Sequence, residues 1–335
     1  MKIGIVWATG AVGQELIPLL KCRKFPVTDL RLFGSRNSEG KTLETPYGER
    51  VVQILSENAM RGLDAMFFSA SSEVSAEWCP RATNQGIICI DKSSYFRMNP
   101  GIPLVVPEVN SESIGDNLLI ANPNCTTSIA AVVLWPLQSA FGLRRVIMST
   151  YQAASGAGRP AMEELEHATQ ARLNGDDFTH QEFSYNLAFN LIPHIDSFTD
   201  NGYTKEEMKV THELQKILGT PDLPIECTAV RVPILRAHSE SITIETEKLF
   251  VAENVREILK NAPGVEVVDD PSHNLYPMPS HVEWKNNVQV GRIRQSLTFG
   301  DHGGTLFVSG DQLLKWAALN AVQILEYILK QRLAK

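Results

Sequence analysis

The stretch "ANPNCTTSIAAVVL" holds the residue best placed for chemistry, Cys125. Pro123 and Asn124 break the strand before it, and the apolar run after Thr126 reads as a helix. That puts Cys125 at a helix N-terminus, where unpaired amides and the macrodipole favour a thiolate. Free cysteines are also common core residues, so residue type alone leaves a nucleophile and a buried structural thiol both open. A thiolate nucleophile needs a proton-handling partner. His238, in "VRVPILRAHSES", follows a Val- and Ile-rich strand and sits near arginines, a plausible setting for an acid/base group. Arg231 lies among Val230, Val232 and Ile234, where an unpaired guanidinium would be costly. A carboxylate met in bidentate fashion is its usual partner. Arg231 and His238 are an odd number of residues apart, so strand alternation sends them to opposite faces. Pro233 or a turn near Ala237 has to bend the chain if both serve one pocket.

Further polar residues add to the set. Thr204 and Glu207 form a capping box, which leaves Glu206 and Lys209 at i,i+3 on one helix face. They are either a surface ion pair or part of a charged pocket. Arg97 lies between aromatic residues and a turn in "SSYFRMNPGIP". Gln152 closes a strand in "YQAASGAG", and the small residues after it, Ser155 and Gly156 among them, let a ligand approach the backbone. Together these residues outline a pocket for a small, doubly anionic substrate. His167, His180, His212, His273 and His281 stand in polar stretches and read as solvated.

The elements that must position these residues follow from the patterning. At 335 residues the chain is long for one average domain, so two are expected. The first part alternates short apolar strands ("KIGIVW", "DLRLFG", "DAMFFSA", "GIICIDK") with amphipathic helices such as "AVGQELIPLLKC"; "PLVVPEVN" and "NLLIANPN" complete the strand series. This predicts an α/β fold with a Rossmann-type doubly wound parallel sheet. From about residue 128 the strands look more antiparallel ("LRRVIMSTYQAA", "CTAVRVPIL", "SITIETE", "NVQVGRIRQSLT", "GTLFVSGD"), as in an α+β catalytic and dimerisation domain. The expected division is 1–127, completed by a C-terminal helix over 312–335 that packs back on the first domain, and 128–311. A net charge of -7 argues against nucleic acid as the main partner. No apolar run approaches the ~20 residues of a membrane span, and the opening strand carries no signal-peptide pattern. The five cysteines are scattered, which suits a reduced cytoplasmic protein and leaves no metal site.

In this order the motifs "ATGAVGQEL", "DKSSYFRM", "PLVVPEVN", "ANPNCTT", "STYQAASGAG", "FNLIPHID", "GYTKEEMK", "VRVPILRAHSES", "VGRIRQS" and "AALNAVQI" resemble aspartate-semialdehyde dehydrogenases over nearly the whole chain. The resemblance implies NADPH-dependent reductive dephosphorylation of L-aspartyl 4-phosphate to L-aspartate 4-semialdehyde, a branch-point step toward lysine, threonine and methionine. It makes Cys125 the nucleophile that displaces phosphate, His238 the general acid/base, and Gln152 an orienting group. Asn124 borders the nucleophile, Arg231 takes the substrate carboxylate, Glu206 its ammonium, and Arg97 and Lys209 the phosphate. A homodimer is implied. NADP(H) contacts fall to Thr9, Gly10, Ala11, Val12, Arg36, Asn37, Ser38, Ser155, Gly156 and Gln312.

The departures from the family pattern collect on the cofactor side. Trp7 replaces the first glycine of Gly-Ala-Thr-Gly-Ala-Val-Gly. The arginine after strand two shifts by one to Arg36, ahead of Asn37. Ser71 and Ser72 replace two glycines, Gln312 an asparagine and Trp316 a further glycine. Arg-Gly-His becomes Arg236-Ala237-His238. The absence of an acidic residue in Ser35-Arg36-Asn37-Ser38 argues against strict NAD preference. A second reading is therefore a relative with an impaired or altered cofactor site, acting on a related acyl phosphate or as a non-reductase binding or assembly subunit. A cysteine hydrolase built on Cys125 and His238 leaves the strand-turn-helix start unexplained.

Overall fold

A computed structural model of the chain describes residues 1–334, without the side chains of Ala11, Trp316, Ala317 and Ala334. The chain divides into two compact units, Met1–Asn124 with the segment from Trp316 on, and Cys125–Lys315. Residues 312–315 thus belong to the second unit, whereas the patterning assigned them to the first.

The first unit carries strands β1 (Lys2–Val6), β2 (Asp29–Gly34), β3 (Thr42–Leu43), β4 (Arg50–Ile54), β5 (Ala65–Phe68), β6 (Ile88–Asp91) and β7 (Leu119–Ala121). Its helices are α1 (Ala11–Cys22), α2 (Glu57–Met60), α3 (Ser72–Thr83) and α4 (Pro107–Asn110). The sheet order is β3-β4-β2-β1-β5-β6-β7, and β1 pairs in parallel with both β2 and β5. Successive strands therefore move outward from β1 in both directions, the switch point at which such sheets bind ligands. β5 and β6 are buried at every position, as strands covered on both faces must be. "PLVVPEVN", expected as a strand, instead gives one bridge at Leu104 and the short α4. Pro107 begins that helix, since a fixed φ suits a first turn and a missing N–H suits no ladder.

The second unit holds α5 (Cys125–Phe141), β8 (Leu143–Gln152), α6 (Arg159–Asn174), α7 (Lys205–Leu218), β9 (Ile225–Arg231), β10 (His238–Thr246), α8 (Ala252–Lys260), β11 (Val265–Val267), α9 (Pro279–Val282), β12 (Val288–Ser296) and β13 (Gly300–Gly310). The sheet order is β11-β12-β13-β10-β8-β9. Helices α5, α7 and α8 pack on it. The C-terminal stretch is a π-helix over Gln312–Leu319 and then α10 (Asn320–Ala334), rather than one uniform α-helix. α10 packs on β6 and α4 of the first unit. Asn320 fastens it there by donating to the Val105 carbonyl at 2.9 Å and to Asn122 Oδ1 at 2.7 Å. Among the described residues no helix is long and apolar enough to cross a membrane.

Register lays out the second sheet in rows. His238, Gln152 and Arg231 stand side by side on β10, β8 and β9; Glu240, Thr150 and Ala229 form the next row, then Ile242, Met148 and Cys227. Side chains one row apart share a face, so a charged row leads through a polar row to an apolar core. Glu240 is fully buried, and among the described residues neither carboxyl oxygen has a hydrogen-bond partner. Burial pushes its carboxyl well above the usual range. A raised folded-state value stabilises below the unfolded value of about 4.3 and loses that as pH rises, at about 1.4 kcal/mol per unit until the folded acid ionises. Glu240→Gln is therefore expected to be close to neutral at pH 4.5 and stabilising at pH 8. Thermal melts at both values check this; an equal shift at the two would mean Glu240 is already ionised in the fold.

Candidate active site

Cys125 is the first residue of α5 and is partly exposed. The first turn of α5 holds no acidic residue, so nothing opposes an anion there. Gln152 ends β8, Arg231 ends β9 and His238 begins β10. Arg231 and His238 therefore lie on different strands, each opposite Gln152. The parity conflict dissolves because residues 232–237 form the connection between β9 and β10.

Arg231 is buried, and its Nη1 donates to the Ala153 carbonyl at 2.6 Å. Burial pulls its pKa down, while the negative charges of Glu206 and Cys125 oppose that. His238 is fully buried. Its Nδ1 accepts the Ala153 N–H at 3.0 Å, and its Nε2 has no partner among the described residues. A neutral imidazole that accepts at Nδ1 carries its proton on Nε2. Burial first, and the Arg231 charge second, bring His238 down to about 3. Gly156 permits this convergence, because a Cβ there would stand 2.9 Å from Arg231 Nη1 and 3.2 Å from His238 Nε2.

A polar chain runs behind this row. Thr150 Oγ1 donates to Gln152 Oε1 at 2.9 Å, and Gln152 Nε2 donates to Glu206 Oε1 at 3.2 Å. Glu206 is 6% exposed and lies 3.5 Å from Lys209 Nζ, so this pair is not a surface ornament. The capping box at Thr204 and Glu207 is formed, which fixes where α7 starts and so where Glu206 points. Lys209 also meets Asp196 at 2.6 Å. Burial raises the Asp196 carboxyl, but the Lys209 and Ser197 hydrogen bonds outweigh it and leave it below its ordinary value. Asp196 was not singled out from sequence. Its only local signal is the motif "FNLIPHID", and its left-handed backbone, φ 68, is visible only in the fold. Gln312 is buried and its Nε2 donates to Ser155 Oγ in a short contact.

Arg97 and Asn124 belong to the first unit. Arg97 is buried and donates to the carbonyls of Asn122 at 3.0 Å and Lys92 at 2.7 Å. Among the described residues no group of His, Cys, Asp and Glu could hold a metal ion.

The glycine-rich turn bears on a dinucleotide. Trp7 takes φ 63, the left-handed conformation a glycine would adopt. For an L-residue this costs roughly 1–2 kcal/mol. The turn is otherwise kept: Gly10 N–H donates to the Trp7 carbonyl at 3.0 Å. A Cβ on Gly13 would stand 2.6 Å from Ala8 Cα and from the Trp7 carbonyl oxygen, the close strand-helix approach the fingerprint requires. Gly10 N-caps α1 without a side-chain cap, leaving the helix amides for an anion. Thr9 Oγ1 lies 3.4 Å from Ser38 Oγ, while Arg36 and Asn37 are exposed just beyond β2. These residues fit a dinucleotide. Ala237 repeats the pattern with φ 72 where the family has glycine. Two replaced glycines have thus kept the glycine backbone. Ala11 and Trp316, both named from sequence, have side chains outside the described residues.

Comparison with known proteins agrees with this picture. Residues 2–117 match the family model "Semialdehyde dehydrogenase, NAD binding domain", and residues 134–315 match "Semialdehyde dehydrogenase, dimerisation domain". The chain is 45% identical over 337 aligned positions to an aspartate-semialdehyde dehydrogenase of Aquifex aeolicus, covering 99% of both chains. It is similar to aspartate semialdehyde dehydrogenase II of Vibrio cholerae complexed with ASA, at 40% identity, 98% coverage of each chain and a TM-score of 0.94. An aspartate semialdehyde dehydrogenase with NADP from Candida albicans shares the fold at 21% identity, with 98% of each chain covered and a TM-score of 0.75. On two family models spanning most of its length and a relative matched end to end, the chain belongs to the aspartate-semialdehyde dehydrogenase family.

Proposed function

We propose that this chain catalyses the NADPH-dependent reductive dephosphorylation of L-aspartyl 4-phosphate to L-aspartate 4-semialdehyde through a thioacyl intermediate on Cys125. The observation that carries this is the row of His238, Gln152 and Arg231, backed by Glu206 and Lys209, in the same unit as a helix that starts at Cys125. Arg231 takes the substrate carboxylate as a fork, and Glu206, tied to Gln152, takes the ammonium. Lys209 and Arg97 hold the phosphate. Asn124 borders the thiol and Gln152 orients the acyl group. Cys125 attacks the acyl carbon as thiolate, and the carbon–oxygen bond to phosphate breaks with its electron pair leaving on the phosphate. Thr9, Gly10, Ala11, Val12, Arg36, Asn37, Ser38, Ser155, Gly156 and Gln312 would hold the cofactor. NADPH, when bound, supplies the hydride that reduces the thioester to the aldehyde.

For His238 the geometry favours a narrower part than a general acid/base. To take a proton at Nε2 it would need the other tautomer, which sets Nδ1–H against the Ala153 N–H. His238 is therefore a neutral donor at Nε2, aimed at the oxygen that becomes negative when the acyl carbon is tetrahedral. His238→Gln, which can donate but not act as a base, should keep about tenfold more kcat than His238→Ala. Equal loss in both variants, measured at saturating substrates, would return the residue to a base.

Exposed Arg36, with no acidic residue beside it until Glu39, supports NADP over NAD. The sheet face opposite the site presents Ile147, 42% exposed, with the Tyr151 and Phe307 rings 6.1 Å apart. This apolar face suits a second copy of the chain. Ile147→Lys is expected to shift sedimentation at micromolar concentration from dimer toward monomer; a native dimer unchanged by it would place the interface elsewhere.

The activity itself is tested in reverse, as phosphate-dependent NADP reduction by aspartate semialdehyde. Calorimetry that detects no NADP(H) binding at millimolar cofactor would defeat this reading and favour the altered-site alternative raised by Trp7.

A further inference from the structure

One buried ion pair has no part in the chemistry above, yet it touches the two segments that carry His238 and Gln312. Asp311 is fully buried and Arg236 nearly so. Asp311 Oδ2 accepts from Arg236 Nε at 2.7 Å and from the Trp284 N–H at 2.7 Å. Its Oδ1 accepts from the N–H groups of Leu313 and Leu314, each at 3.0 Å, and so opens the turn that bears Gln312. The Arg236 guanidinium lies 3.4 Å from the centroid of the Trp284 ring, whose residue is 64% exposed. Trp284 thus covers the pair from the solvent side.

The connections continue on both sides. Arg236 leads through Ala237, at φ 72, directly into His238. Gln312 donates to Ser155, and the next residue, Gly156, is the one that packs against His238 Nε2. A strained non-glycine backbone persists only where its surroundings over-determine it. A buried ion pair is weak evidence for stability, since apolar replacements often do as well. Its place at the junction of two site residues calls for another reason.

We propose that the Arg236–Asp311 pair, covered by Trp284, is a positioning strut that holds His238 and Gln312 in one mutual geometry and sets kcat rather than substrate affinity. The inference rests on the proposed function for the identity of the reaction, though not for the geometry.

Asp311→Asn keeps an acceptor for the Leu313 and Leu314 amides but turns an amide donor toward Arg236 and Trp284. In this variant kcat for phosphate-dependent NADP reduction is expected to fall about tenfold or more, with both substrate KM values within about twofold, as for a displaced catalytic group. The pair Arg236→Met with Asp311→Leu fills the space with apolar atoms. It should fold with a melting temperature within a few degrees of the parent and lose kcat equally. Arg236→Lys, which keeps the ion pair, should recover most of the loss. Ring ¹⁵N shifts of His238 in the protein without cofactor give a readout independent of turnover. They should report a fixed Nε2–H tautomer in the parent and a mixture in Asp311→Asn. A folded variant of either kind with parental kcat and parental ring shifts overturns the strut. If the parent protein shows no phosphate-dependent NADP reduction, the functional reading fails, and the ring shifts alone decide the strut.

Discussion

Cys125→Ser is expected to lose on the order of 10⁶-fold in kcat, the scale seen when a covalent nucleophile is removed. The reason is specific to this site. A thiol at the first position of α5 faces the first amides of the helix and lies near the Arg231 guanidinium, a setting that favours its anion. A serine hydroxyl there would need a base, and His238 presents an N–H at Nε2 rather than a lone pair. Serine is thus stranded as a neutral alcohol. The check is a single-turnover assay of acyl transfer, with trapping of radiolabelled acyl group on the protein. Unchanged turnover in the variant would remove Cys125 as nucleophile. A loss much smaller than 10³ would mean His238 does serve as base, contrary to its tautomer.

Arg231→Lys should raise the substrate KM and lower kcat/KM by about 10², with a smaller effect on kcat. Losing a buried, hydrogen-bonded charge partner costs several kcal/mol at an interface, and lysine retains the charge without the planar fork. Arg231 is also committed to the Ala153 carbonyl, which aims its remaining donors. An ammonium would have to choose between that carbonyl and the substrate. Steady-state kinetics on both substrates decide the matter. An unaltered KM for aspartate semialdehyde would show that Arg231 does not meet the carboxylate. A thermal melt alongside separates this from unfolding, since the guanidinium is buried beside the paired Gln152 and Glu206.

Much of the frame was legible in the sequence because its signals are short-ranged. Helix α1 spans the stretch "AVGQELIPLLKC", and β2 spans "DLRLFG". The Thr204–Glu207 capping box was readable because both partners lie within one turn. Cys125 at a helix start was readable from Pro123, Asn124 and the apolar run. The misreadings have equally local causes. "PLVVPEVN" is apolar enough for a strand, but Pro107 favours the start of a helix. The C-terminal stripe looked uniformly helical, yet it begins as a π-helix whose first amides the Asp311 carboxylate caps.

By itself the sequence determined the α/β alternation, the strand-turn-helix start, the charged residue types of the site and the family resemblance they carry. The tertiary structure alone decided how those residues are used. It set Arg231 and His238 on separate strands either side of Gln152, which alternation along one strand could not do. It chose the tautomer of His238 through a backbone amide 85 residues away. It gave Lys209 a second partner in Asp196 and left Glu240 buried without one among the described residues. It also showed Trp7 and Ala237 in the backbone of the glycines they replace. The physical reason is the same throughout. Propensity, capping and periodicity act over one or two turns, whereas proton position and charge depend on burial and on partners that only packing brings within hydrogen-bond distance.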